Sequence, residues 1–181
     1  ITHFIENKLK LKVNATKTHI TKPSNLKYLG FSFYKDTKQK VWKSMPHKES
    51  FIRLFIKLKT LVKRSWSIDL SYRIKKINEV LRGWINYYRQ SSMKRKLTKM
   101  GEWLRNAIRV IIWKQWKVFS KQIPSLVKLG IDEEQAKGIT FCRRGFQFIA
   151  HSCVICRAIT NLRLKKRGLL DPLEYYFKEV A

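Results

Sequence analysis

The stretch "LSYRIKKINEVLRGWINYYRQ", residues 70–90, decides how the chain is read. Leu70, Ile74, Ile77, Leu81, Ile85 and Tyr88 recur every three or four residues, which is one apolar stripe along an α-helix. Arg82, Asn86 and Arg89 fall off that stripe, on a face left for a partner. Gly83 stands beside Trp84, Tyr87 and Tyr88, although Gly costs about 1 kcal/mol against Ala in a helix interior. A Gly there predicts close approach of another backbone, either protein or nucleic acid. Trp84 and Tyr87 lie between the two faces, where an amphipathic ring suits either side.

The same period continues on both sides. Phe51, Leu54, Phe55, Leu58, Leu61 and Val62 form the stripe of an upstream helix, with Arg53, Lys57 and Arg64 elsewhere. Leu97, Met100, Leu104, Ala107, Ile108 and Ile111 do the same over about residues 94–119. Three amphipathic helices with short connections predict a bundle over residues 47–123. Before it, "LKYLGFSFY" (26–34), the polar turn "KDTKQ" (35–39) and "KVWKSM" (40–45) predict a β-hairpin, with Pro46 as punctuation. "ITHFIENKLKLKV" (1–13) reads as a helix end running into extended chain.

Pro124 marks the next boundary, and Gly130 stops a short helix. Asp132, with Gln135 three residues on, predicts a capped helix start. "FCRRGFQF" (141–148) reads as a basic, aromatic loop, and Ser152 as the cap of a helix ending at Gly168. "DPLE" (171–174) opens the last helix, with Asp171 as cap and Pro172 at its first position. The fold class is α+β, mostly α: a hairpin segment (1–46), a helical bundle (47–123) and a helical C-terminal segment (124–181).

Forty Lys and Arg stand against 12 Asp and Glu, a formal net charge of +28. Self-repulsion on that scale destabilises a compact monomer, so the surplus is read as made for a polyanion. An anionic membrane is the rival to a phosphate backbone. No apolar run reaches the roughly 18 residues of a spanning helix, and "AIRVIIW" and "HSCVICRAI" are short and interrupted by Arg. Three Cys, an odd number, argue against a disulfide framework and for an intracellular, reducing location. The start without Met reads as a piece of a longer chain. Cys142, His151, Cys153 and Cys156 could compose a Cys₃His zinc site. The spacing of Cys153 and Cys156 beside Val154, Ile155 and Ile159 instead favours packing on a helix, so no metal site is assigned.

Two-metal chemistry needs clustered carboxylates. Glu6, Asp36, Glu49, Asp69, Glu79 and Glu102 are scattered singly, and Asp132, Glu133 and Glu134 sit at a helix start, where they serve the macrodipole. No Gly-rich phosphate loop or nucleophile elbow is present. No catalytic residue is assigned. The positive signal is basic helix faces interleaved with aromatics. Arg105 and Arg109 lie one turn apart, and Trp113 and Trp116 continue roughly that side. Arg pairs with phosphate bidentately and unstacked bases lie on aromatic planes; alternatively these Trp rings finish the core under Arg stems. The RNA-contact candidates are Lys57, Arg64, Arg82, Arg89, Arg105, Arg109, Trp113, Lys114 and Lys117, with Arg143 and Arg144 in the basic loop. Gly83, Trp84 and Tyr88 are structural candidates.

"LKLKVNATKTHI" followed by "LKYLGFSF" resembles the end of the palm in group II intron reverse transcriptases. "INEVLRGWINYYRQ" and then "WLRNAIRVIIWKQWK" resemble their thumb, the maturase-specific domain or domain X. "RRGFQFIAHSCVICRAITNLRLKKRGLLDPLEYY" resembles the segment that closes that domain. The resemblance implies that residues 1–46 end a palm and that the rest is thumb and maturase. It implies group II intron RNA as partner, with target DNA or an RNA–DNA duplex as further ones, in a bacterial cytoplasm or an organelle. In the family the RNA performs the splicing chemistry while the protein grips it and, at full length, copies RNA into DNA. Lys17 matches the Lys of the family's Lys-Thr palm segment, which implies an RNA contact there, and Gly30 the Gly of its Leu-Gly-Phe segment, a structural position. Gly145 matches the Gly of a Gly-aromatic-Trp motif, here continued as Phe146, Gln147 and Phe148. The family's Tyr-x-Asp-Asp pair is missing, so this chain alone is not expected to polymerise. Mg²⁺ is expected only for the full-length polymerase and the intron RNA, and no sign of the HNH endonuclease of some members is seen. The other reading is a non-specific basic nucleic-acid-binding or assembly protein.

Overall fold

The computed structural model describes residues 2–14 and 21–180; Lys17 lies outside the described residues. After α1 (Thr2–Asn7), which buries no residue, and a 3₁₀ turn at Pro23–Asn25, the hairpin forms from β1 (Phe31–Lys35) and β2 (Trp42–Pro46). The strands are antiparallel, with Phe31 opposite Pro46 and Lys35 opposite Trp42. Pro46 therefore closes the second strand rather than following it; at a strand end its missing N–H costs no ladder bond. The next amide, that of His47, donates to Gly30 O at 2.8 Å. The turn is fixed by the Asp36 carboxylate, which accepts from the Lys38 amide at 2.9 Å and pairs with Lys43. The Lys43 ammonium is the main cause of a lowered Asp36 pKa.

The three expected helices are α2 (Lys48–Leu61), α3 (Leu70–Tyr87) and α4 (Lys94–Gln115). Their stripes meet in the interior: Leu54 and Leu58, then Leu70 through Ile85 with Tyr88, then Leu97, Met100, Leu104, Ile108 and Ile111 are buried. Each such aliphatic side chain contributes roughly 1.5–3 kcal/mol by leaving water. Asp69 caps α3, its carboxylate accepting from the amides of Ser71 (2.8 Å) and Tyr72 (3.3 Å). Helix α4 ends at Gln115, earlier than its apolar period suggested, because Lys117 takes φ +50 and turns the chain.

Helix α5 (Phe119–Lys128) contains Pro124, which the sequence reading placed at a boundary. The Pro removes the donor to Ser120 O, but both residues are exposed, so the loss falls on the surface and not in the core. Helix α6 (Glu133–Thr140) starts on the Asp132 cap. Helix α7 (Phe146–His151) begins inside the expected loop, leaving only residues 141–145 irregular. The single helix expected from Ser152 to Gly168 is two, α8 (Cys153–Ala158) and α9 (Asn161–Lys166), the second capped by the Thr160 hydroxyl. Helix α10 (Pro172–Val180) follows, and Asp171 accepts from the Leu173 and Glu174 amides at 3.0 and 3.1 Å.

One buried cluster runs from Leu54 to Tyr176, so the bundle and the C-terminal segment share a core. Asn78 ties them: its amide donates to Gly168 O at 2.7 Å and its carbonyl accepts from the Leu170 amide at 3.0 Å. Tyr176 adds a hydrogen bond to Ser91 O at 2.8 Å. Among the described residues no helix is long and apolar enough to cross a membrane.

Candidate nucleic-acid interface

Three segments far apart in sequence meet at one end of the bundle. They are the connection after α2, carrying Arg64; the end of α4 and the turn that follows it, carrying Lys114 and Lys117; and the loop before α7, carrying Arg143 and Arg144. All five residues are exposed. Lys114 Nζ donates to Arg64 O at 3.0 Å, and the Arg64 guanidinium lies 4.7 Å from the Phe146 ring centroid. Arg144 sits 4.6 Å over Phe148. These rings hold guanidinium planes without neutralising them. A cleft of about 500 Å³ opens here, and no acidic side chain lines it. In the adjoining cleft, Asp69 is the acid near Arg64 and Lys117, and its carboxylate is taken by the Ser71 hydroxyl and the Ser71 and Tyr72 amides. The cations thus face solvent without internal counter-charge, an arrangement that raises local anion concentration.

A second groove, of about 650 Å³, lies where α2, α3 and the start of the hairpin meet. Arg53 and Lys57 line it from one turn of α2 to the next, and Gly83, Trp84 and Tyr87 from α3. Glu79, also on its wall, is paired with Lys76 at 2.9 Å. A Cβ on Gly83 would meet nothing within 4 Å, so among the described residues no backbone approaches it, and the protein-packing half of that expectation is corrected. Arg82 and Arg89 are exposed, and neither pairs with a carboxylate among the described residues.

The structural candidates divide. Tyr88 is buried, and Trp84 packs edge-on to Phe51 with centroids 5.4 Å apart. Gly30 is required where it stands. It adopts φ +81, and a Cβ there would overlap the Tyr88 hydroxyl and come within 3.0 Å of Ser50 Oγ. Beside it, Tyr87 donates to Leu29 O at 2.9 Å. Gly145 precedes α7 at φ −58 with open space around it, so sterics do not demand Gly there.

Three of the proposed RNA contacts are engaged by the protein itself. Arg109 is 6% exposed, and donates to Ile159 O (3.0 Å), Asn161 Oδ1 (2.9 Å) and Asn106 Oδ1 (3.0 Å). It fills the break between α8 and α9, where the carbonyl of Ile159 has no helical donor. Burial lowers its pKa. Arg105 is half-buried and paired with Asp171 at 2.8 Å. Trp113 is 3% exposed, its ring against Trp116 at 5.7 Å. For this ring the core alternative holds. Cys153, expected to pack, is exposed, while Cys156 is half-buried with Sγ 3.8 Å from Ala150 O. Among the described residues no group of three or more His, Cys, Asp or Glu could hold a metal ion.

Sequence reasoning did not nominate Arg53 or Arg73. Arg53 shares an exposed face with Lys57 four residues on, and that spacing was the available signal. Arg73 is 1% exposed and donates to the carbonyls of Leu61, Lys63 and Trp66, with its guanidinium 4.9 Å from the Trp66 ring. Its position inside the apolar stripe, between Leu70 and Ile74, was the sign that it is internal.

No curated protein matches the chain. Residues 53–124, from the first turns of α2 to the middle of α5, match the family model of the group II intron, maturase-specific domain.

Proposed function

We propose that this chain is the RNA-binding maturase portion of a group II intron-encoded protein. It grips the intron RNA and stabilises the fold in which that RNA splices. The observation that carries this reading is the meeting of Lys114, Lys117, Arg143 and Arg144 around a cleft that no acidic side chain lines, with Arg64 on the cleft adjoining it. The groove bearing Arg53, Lys57 and Gly83 offers a second basic surface, open at the Gly to a close approach. Phosphate contacts supply most of the affinity.

Joined to a palm, the helices would act as the thumb of a reverse transcriptase, with target DNA or an RNA–DNA duplex as further ligands. The chemistry of that reaction would come from the palm's aspartates and their Mg²⁺, and the chain as given contributes grip and position.

Competition between group II intron RNA and duplex DNA at matched salt tests the reading. Preferential retention of the intron RNA, with faster splicing at low Mg²⁺ when the chain is added, is the expected result. Equal competition by both nucleic acids, with splicing unchanged, would leave only a non-specific basic binder.

A further inference from the structure

The cleft at the basic end has a feature that phosphate binding does not use. Gln122 on α5 is 6% exposed and Thr140 on α6 is 5% exposed, and both line this cleft. Gln122 Oε1 and Thr140 Oγ1 are buried without a hydrogen-bond partner. Native proteins leave few such atoms unpaired, and each calls for an explanation, an absent ligand being one. The acceptor Gln122 Oε1 cannot serve an ionised phosphate, which offers only acceptors. It needs a donor such as an amine or ring N–H. Of the aromatic residues on the other walls, Phe119 is exposed and offers a face to a flat ring, Phe146 is half-buried and carries the Arg64 guanidinium, and Trp113 is buried behind them. At the mouth stand Lys114, Lys117, Arg143 and Arg144, suited to the phosphates on either side of such a ring. The volume, about 500 Å³, falls within the range of small-ligand pockets.

We propose that this cleft takes one unpaired nucleobase of an RNA strand, stacked on Phe119 with the base edge turned toward Gln122 and Thr140 and the flanking phosphates on the four cations. The proposal rests on the RNA-binding reading above and adds to it a position at which a base, rather than a backbone, is gripped. It is a different contact from the salt-dependent ones, because stacking and an uncharged hydrogen bond release no counterions.

The test uses the full chain and two RNA hairpins alike in every phosphate. One carries a single-nucleotide bulge, and the other an abasic residue at the bulge. The base-bearing hairpin is expected to bind about tenfold tighter, the scale of one stacked base. In Gln122→Leu/Thr140→Val the preference disappears while the salt slope stays unchanged. That variant also unfolds no more easily than the parent, since orphan polar atoms are exchanged for apolar groups of similar shape. Equal affinity of the unmodified chain for both hairpins would overturn the pocket, whether or not the double variant folds. So would a preference that survives in the double variant. Steep salt dependence without a base preference would remove the pocket and leave RNA binding intact. Binding of both hairpins that ignores salt would remove the RNA-binding reading itself.

Discussion

The Lys114 ammonium donates a hydrogen bond to the main-chain carbonyl of Arg64 at 3.0 Å, tying the end of α4 to the connection after α2. The bond fixes where two cations stand while leaving the Arg64 side chain free to lie over Phe146. Neighbouring Lys117, Arg143 and Arg144 have exposed side chains and no carboxylate partner among the described residues. Replacing Arg64, Lys117, Arg143 and Arg144 together by Ala should leave thermal stability unchanged or raise it, because like charges are removed. The slope of log affinity against log salt should become shallower by about 0.7–0.9 for each phosphate no longer neutralised. Filter binding across a salt series, with a melting curve of each protein, checks both parts.

The buried arginines should behave in the opposite way. Arg109→Met leaves Ile159 O and the Asn106 and Asn161 side chains without the donor they have now. Hydrogen bonds to a charged group contribute about 1.5–3 kcal/mol, and stranded partners add to the loss. A destabilisation of about 3 kcal/mol in urea unfolding is expected, with no change in the salt slope of the fraction that remains folded. A shallower slope with unchanged stability would return Arg109 to the RNA-contact set.

Gly30 and Tyr88 set how the hairpin meets the bundle. Gly30→Ala puts a side chain at φ +81 and into the Tyr88 hydroxyl. The backbone alone costs about 1–2 kcal/mol, and the overlap about 1–3 kcal/mol more. Adding Tyr88→Phe removes the oxygen that is overlapped, so the double variant should recover the steric part and keep the backbone part. A double-mutant cycle in urea measures the coupling; simple additivity would show that the two residues do not touch.

Gly83 lacks any such neighbour. Gly83→Ala should stabilise the chain by about 0.5–1 kcal/mol, the ordinary helix-propensity gain, since nothing lies within 4 Å of the added carbon. Gly83→Val should fold and bind RNA more weakly, because its branches narrow the groove beside Lys57. A valine variant with undiminished affinity would mean that no RNA backbone approaches there.

Periodicity made the bundle legible. Leu70, Ile74, Ile77, Leu81 and Ile85 are buried as their spacing implies, and the hairpin falls between the residues its turn chemistry marked. The boundary errors share one cause, a local signal outvoted by its surroundings. Pro124 is tolerated inside α5 because it and Ser120, whose carbonyl loses its donor, both lie on the exposed side. The break in the expected helix after Ser152 is accommodated by Arg109, fifty residues earlier, which supplies a donor to the Ile159 carbonyl. The candidate site was half legible. Charge alone identified Arg64, Lys114, Lys117, Arg143 and Arg144, but charge does not distinguish a guanidinium on the surface from one that caps carbonyls inside. Arg105 and Arg109 were therefore grouped with the exposed set. The unpaired atoms of Gln122 and Thr140 had no sequence signature, because being unpartnered is a property of the packed neighbourhood.

The central claim is that the surplus cations, on the helices and on the connections between them, stand exposed to meet RNA phosphates, and a salt titration of intron RNA binding by the unmodified chain tests it most directly. With about ten phosphates neutralised, log affinity should fall against log salt with a slope of about −7 to −9. A flat titration would contradict the account.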